Sequence, residues 1–362
     1  MRMPRGLAGR AALCALTVVT ASAVLPAAAA PKAAVSAQVP FEERYRAVQH
    51  GGIVRAANSS ITCRTTVTRG ARTCPDARRG AGVNGDYEMF YIDVDDDPLT
   101  YNSSQAELRV PKGSRVSWAR LYWGGNLRVG EQKPPADNGR VLLAEPGGQY
   151  KEVLADRVIG HRTSTTDDAF QASADVTELV RDSAPGYWTV AQVNVAMGHS
   201  AAGAWGGWTL VAAYENPREP LRRLAVWDGF QTLHANRRNL SVTLDAPGIP
   251  AGAAGSAGFV AYNGDRGKKG DTLSVRADGR KAVRLYDTAN AADDVMNSTI
   301  SEYGRHARNR KPAYMNTLGY DADVFDIKPA LKQGGDRLTF RFGSGADGYH
   351  AGVLFLQVDA RR

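Results

Sequence analysis

The stretch from Asp175 to Glu215 constrains the fold most, because its pattern occurs twice. It runs Asp-Val-Thr-Glu-Leu-Val, a turn at 183–186, and an apolar strand from Trp188 to Met197. A Gly/Ala-rich hinge over 198–207 follows, then a second apolar strand from Trp208 to Tyr214. Near the C-terminus the order returns: Asp326-Ile-Lys-Pro-Ala-Leu, a turn at 333–335, and a strand from Leu338 to Phe342. A Gly-rich hinge over 343–348 and a strand from Gly352 to Val358 complete the second copy. Strand, hinge and strand make the closing hairpin of a sandwich, and internal repetition decides architecture before local signals do. Two copies predict two similar sandwiches in tandem.

The remaining chain agrees. Strand-like runs cover 87–93, 106–110, 116–123, 140–143 and 153–158, punctuated by Gly, Pro, Asn and Asp at short intervals, as in sandwiches and barrels. Leu240, Val242 and Leu244 alternate with Ser241 and Thr243, and Leu338, Phe340 and Phe342 with Thr339 and Arg341, the period of two that half-buried strands require. Only 170–180 and 289–303 have the look of short helices or capped turns. The expected class is all-β, two tandem jelly-roll-like β-sandwiches over 86–220 and 221–362. Residues 31–85 divide into a small-residue linker over 31–40 and a basic, turn-rich stretch over 41–85, read as an N-terminal arm lying on the first sandwich.

Residues 1–30 carry Arg2, Arg5 and Arg10, an apolar run from Ala11 to Leu25, and small residues at 27–30. That is the pattern of a secretory signal peptide, with cleavage expected at 28–30. Leu13 before Cys14 does not fit a lipidation site, and no later segment reaches the ~20 apolar residues of a membrane span. The expected product is secreted, without lipid, sorting or transmembrane anchor. Cleavage removes Cys14 and leaves Cys63 and Cys74, which in an oxidising exterior read as a disulfide pinning the arm. Closing so short a loop stabilises by roughly 2–3 kcal/mol. The net charge of +8 falls to about +5 without the three signal arginines. That excess favours acidic surfaces such as wall polymers and falls short of a nucleic-acid footprint. Asn58, Asn102, Asn239 and Asn297 each open an Asn-x-Ser/Thr triplet, read as turn residues rather than glycan acceptors.

A run of short motifs carries a resemblance. Asp93-Val-Asp-Asp-Asp-Pro, Asn102-Ser-Ser and Ala119-Arg-Leu-Tyr-Trp-Gly-Gly are followed by Gly206-Gly-Trp-Thr-Leu-Val-Ala-Ala-Tyr-Glu-Asn and Trp227-Asp-Gly-Phe. Asn297-Ser-Thr-Ile and Leu318-Gly-Tyr-Asp-Ala-Asp-Val-Phe-Asp complete the set. In order and spacing these resemble an exported, actinobacterial-type β-rich domain of unknown function, over about Tyr45 to Val358. Such domains stand in adhesin-like surface proteins ahead of repeat modules. The resemblance implies surface or matrix interaction and supplies no catalytic residues; the chain departs from longer members by stopping after the domain.

Asp93, Asp95, Asp96 and Asp97 are the first metal candidates, because carboxylates at a strand end and its turn can converge on calcium, which takes six to eight oxygens. The competing reading is an acidic turn stopped by Pro98, with aspartates capping local backbone. Asn263, Asp265 and Asp271, and Asp321, Asp323 and Asp326, are weaker calcium candidates with hairpin and capping composition. Five of six tryptophans lie between Trp118 and Trp208. Trp123, Trp188 and Trp208 fall on alternating strands as core, whereas Trp205 in the hinge and Trp227 before Asp228-Gly229 are expected to be exposed for sugar stacking. Arg305, His306, Arg308, Arg310 and Lys311 form a basic run suited to a polyanion, or a solvated loop. The six histidines show no zinc-protease spacing, and no nucleophile elbow occurs; His199 with Ser200 and His350 read as structural. The expected function is non-catalytic binding of cell-wall or extracellular polymers, with no nucleic acid. A lectin-like module binding glycans with or without calcium is the alternative. A glycoside hydrolase, whose carboxylate pair leaves no sequence spacing, is the remote one.

Overall fold

The protein is described from a computed structural model over residues 34–35, 38–80, 82–95, 97–162, 168–345 and 347–361. The expected signal segment at 1–30 and Asp96 lie outside these residues. The chain is all-β. In the first half the main strands are β1 (Gln38–Ser59), β2 (Ser103–Leu108), β3 (Arg115–Asn126) and β4 (Arg140–Ala144). They continue with β5 (Lys151–Leu154), β6 (Asp168–Asp175), β7 (Gly186–Ala191) and β8 (Gly206–Glu215). The second half supplies β9 (Leu221–Leu233), β10 (Asn239–Ile249), β11 (Gly255–Tyr262) and β12 (Thr272–Ala277). It ends with β13 (Val283–Leu285), β14 (Tyr320–Asp326), β15 (Gly335–Gly343) and β16 (Tyr349–Asp359).

One continuous sheet runs through both halves in the order β6-β3-β8-β1-β9-β16-β11-β14, with shorter strands at its edges. A sheet in the order β2-β7-β4-β5 covers the first half and one in the order β10-β15-β12-β13 covers the second. Adding eight to each first-half label gives the second half's pairing. Residues 186–215 supply β7 and β8, and residues 335–359 supply β15 and β16. A short helix (Thr177–Asp182) leads into β7 and a 3-10 turn at Lys328–Leu331 leads into β15. Phe170–Asp175, read as a possible helix start, is the end of β6.

The continuous sheet is buried on both faces. Leu121, Trp123, Trp208 and Leu210 pack against Leu143, Trp188 and Val190 of the first covering sheet. Ala225, Phe259, Leu354 and Leu356 pack against Val242, Val275, Leu338 and Phe340 of the second. The intervening residues, among them Tyr122, Val211, Val226, Val260, Tyr262 and Phe355, form a third core that joins the two halves. Strands buried on both sides read as near-continuous apolar runs, which is why β8 and β16 lack clean alternation. Gly258 is needed for this packing: a Cβ there would lie 2.1 Å from Cζ of the Phe355 ring.

The expected N-terminal arm is corrected in part. Gln38–Ser59 does not lie on the first sandwich; it is the sheet's middle strand, pairing with β9 through Gln38–His50 and with β8 through Gly51–Ser59. Its charged residues hid the strand because Arg44 reaches across to the buried Asp228 carboxylate at 2.6 Å, while Glu43 and Arg46 pair at the surface. The pinned part is shorter. The Cys63–Cys74 disulfide, with Cα atoms 5.5 Å apart, ties strand Ile61–Thr66 to helix α1 (Cys74–Arg79), which Thr73 caps. Together with Tyr87, Met89, Val195 and Leu318 they make a small satellite core.

Candidate functional site

The connection from Ile300 to Lys311 crosses from the second half to the first. Ile300–Glu302 pairs parallel with β14, and Arg305–His306 turns back antiparallel to it. Arg310–Lys311 then adds to the edge of β2 in the other half. Asn309 strengthens the crossing: its carbonyl accepts from Glu107 N–H at 2.9 Å, and its side-chain amide donates to Glu107 O at 3.2 Å. The two-residue turn Tyr303-Gly304 has φ of 48° and 76°, the both-positive geometry that hairpins favour and that Gly and Asn adopt most easily. A tyrosine at the first of these positions is a strained choice. It leaves Tyr303 half-exposed at 49% on the tip of the hairpin.

This crossing walls an open groove of about 1010 Å³, lined by Arg109 and residues 302–309. A smaller cavity of about 240 Å³ continues it through Arg55, Glu107 and Gln357, sharing Arg109, Glu302 and Asn309. Four arginines (Arg55, Arg109, Arg305, Arg308) face two glutamates (Glu107, Glu302). Arg109 is committed to Glu107 at 2.5 Å. Arg305 and Arg308 are exposed and enter no salt bridge among the described residues. Burial and the nearby Arg266, Arg310 and Arg308 lower the His306 pKa.

The sequence-predicted residues divide here. Arg305 and Arg308 line the groove. Arg310 does not: it is 3% exposed, donating to Ala307 O and Asn58 Oδ1 at 3.0 Å each and to Tyr314 O. Burial pushes its pKa down to about 9, and the charge of Arg55 adds to the effect. Behind it, Asp323 is held by Ser301 and Thr299, its pKa raised by burial. Lys311 points to another face, its Nζ 4.8 Å from the Tyr187 ring centre. The expected exposure of Trp205 and Trp227 is corrected. They are 0% and 5% exposed: the hinge folds Trp205 inward against Tyr262 and His350, and Trp227 lies on β9, covered on both faces. Neither offers a ring to a surface ligand.

Asp93, Asp95 and Asp97 share one turn, but their oxygens serve local structure. Ser103 Oγ lies 2.7 Å from Asp93 Oδ1 and 2.9 Å from Asp95 Oδ1, its single proton shared between them. Tyr150 donates to Asp95 Oδ2, and Leu99 N–H donates to Asp97 Oδ1 at 2.9 Å. Among the described residues no three His, Cys, Asp or Glu side chains gather as a metal centre.

Residues 80–359 match the family described as Protein of unknown function (DUF3344). The chain belongs to the DUF3344 family. The matched span holds both covering sheets and the groove, while β1, the middle strand, precedes it. No curated protein matches the sequence. Among solved structures, that of the infectious bursal disease virus Gx strain aligns over 93% of this chain and 75% of that one, at 12% identity and a TM-score of 0.24. N-glycanase F (PNGase F) aligns over 84% of this chain and 96% of that one, at 11% identity and a TM-score of 0.19. Overlaps this low carry no argument about fold or role.

Sequence reasoning missed Arg55 on β1, Arg109 just beyond β2 and Glu302 on the Ile300–Glu302 strand, which share no spacing. Tyr303 left no local signal, because Tyr-Gly is not among the residue pairs that mark a two-residue hairpin turn.

Proposed function

We propose that this DUF3344 protein is a secreted, non-catalytic binding module that holds an anionic polymer of the cell surface or extracellular matrix in the Arg109–Arg305–Arg308 groove. Its fold is read as two tandem jelly rolls. The support is the strand order: first, eighth, third and sixth strands in one sheet and second, seventh, fourth and fifth in the other, in each half. Jelly rolls alternate strands between two sheets in this way and recur in lectin and capsid proteins.

The observation that carries the binding reading is the pair of uncommitted arginines beside a tyrosine held in a left-handed turn, along an open groove. Guanidinium groups bind phosphate and carboxylate oxygens in pairs. An exposed aromatic face adds stacking against a sugar or polyol backbone. Export follows from the residue 1–30 pattern and fits such a ligand.

The test is binding of the purified chain to teichoic acid and to a panel of neutral glycans, at low and high salt. Teichoic acid should bind, and its affinity should fall steeply with salt. The double variant Arg305→Ala/Arg308→Ala should bind about tenfold or more weakly, a loss of about 1.4 kcal/mol. Binding confined to neutral glycans, or unchanged in the double variant, would sink the polyanion reading.

A further inference from the structure

We propose that the loops 263–271 and 290–297 and the Asp347-Gly348 turn of the second half form a calcium site with Asp271 as its central ligand. This site is separate from the groove and does not depend on its reading. Asp271 is 0% exposed, and neither of its carboxylate oxygens has a hydrogen-bond partner. The Gly345 N–H faces it but falls outside hydrogen-bonding geometry. Lys269, on the same loop, is committed to Asp293 at 3.5 Å. A buried carboxylate lacking both donors and a counter-ion is costly.

The neighbours deepen the problem rather than relieve it. Asp294 is the bridge partner of Asp271, is 9% exposed, and has an unpartnered Oδ1. Asp265 and Asp347 act on the same group electrostatically. Asn297, three residues beyond Asp294 and 4% exposed, leaves its amide Oδ1 unpartnered.

The loops are tied to one another by Asp265 N–H to Asp347 Oδ2, Gly267 N–H to Asp294 Oδ2, each 2.8 Å, and Gly270 N–H to Asp293 O at 2.6 Å. Carboxylate oxygens at the junction of three loops, with an amide oxygen nearby, suit a hard cation. Calcium tolerates such an irregular oxygen set, whereas magnesium demands a near-ideal octahedron. Among the described residues no three carboxylates close on one point; the oxygens left without partners here are both of Asp271, Asp294 Oδ1 and Asn297 Oδ1.

The experiment is thermal melting and calorimetric titration of the whole chain with calcium alone, against EDTA. Wild type should bind one calcium and gain about 5 °C in Tm at saturation. Asp271→Asn should lose both effects, yet melt in EDTA no lower than wild type, because it removes an unpaired buried charge. Asp347→Asn, read the same way, serves if Asp271→Asn fails to fold. No binding by folded wild type, or an undiminished shift in both variants, overturns the proposal. So does a shift abolished only by Asp95→Asn/Asp97→Asn, which would place the ion at the first-half turn.

Discussion

At the scale of single residues, Asn58 and Arg310 explain how a charge can be spent inside the protein. Asn58, 0% exposed on β1, donates from Nδ2 to Gln105 O and Lys311 O, both at 2.9 Å, and accepts Arg310 Nη1 on Oδ1 at 3.0 Å. It joins the middle strand to the crossing segment and to β2. Asn58→Ala would strand carbonyls and part of a buried guanidinium, at a cost of about 3 kcal/mol, measurable by urea unfolding. A change under 0.5 kcal/mol would show that water replaces the amide. His306 gives a second prediction. Burial and the nearby Arg266, Arg310 and Arg308 hold it below its ordinary 6.5, with Asp287 opposing, so it is neutral at pH 7. Polyanion affinity should stay flat from about pH 8 to 6.5 and rise only below that, as the ring takes up a proton. A rise centred at 6.5 or above would show that burial and the neighbouring arginines do not depress His306. The basic run was visible in the sequence as composition. Which arginine turns inward was not, because that depends on Asn58, some 250 residues away.

At the scale of elements, the Glu302–Arg305 hairpin and the close pair of β11 and β16 are opposite uses of backbone constraint. The hairpin keeps a tyrosine where asparagine or glycine would be easier. Tyr303→Asn should therefore raise stability by about 0.5–1 kcal/mol while weakening polymer binding, a trade visible as higher Tm with lower affinity. Unchanged affinity would leave Tyr303 without a role in binding. Gly258 is the reverse case: Phe355 fills the space above it, so Gly258→Val forces ring and strand apart and should cost about 2–3 kcal/mol. Element types were largely legible from turn residues and the period of two in β10 and β15. The position of β1 was not. Glu42, Glu43, Arg44 and Arg46 suggest a solvated arm, yet they border the ion pairs at Asp228, and only the partner strands β8 and β9 reveal a sheet interior. The tryptophans mislead in the same way, since a Gly-rich hinge can fold a ring inward as easily as display it.

At the scale of the whole molecule, the repeat in the sequence predicts two units, and one sheet runs through both. β1 pairs with β8 along one stretch and β9 along the next, so the main-chain ladder is unbroken between halves. The third core adds Tyr122, Val211 and Trp205 from one half to Val260, Tyr262 and Phe355 from the other. Polar bonds cross the same interface: Thr209 Oγ1 and Tyr320 OH lie 2.7 Å apart, and Tyr262 OH donates to Gln171 at 3.0 Å. Independent domains are expected to meet over smaller, wetter surfaces. Calorimetry should therefore record one transition with equal calorimetric and van't Hoff enthalpies. A fragment beginning at Leu221 should not fold on its own: it keeps the second core intact, but bares the aromatic face around Tyr262 and leaves β9 as an open edge, the combination that drives strand-to-strand association. Two resolved transitions, or a soluble fragment with native near-ultraviolet circular dichroism, would mean that the shared sheet is a contact between finished units. In that case the groove, which takes Arg109 from one half and Arg305 and Arg308 from the other, would be assembled by docking. A single transition makes it a product of folding, set in place when the middle strand joins both halves.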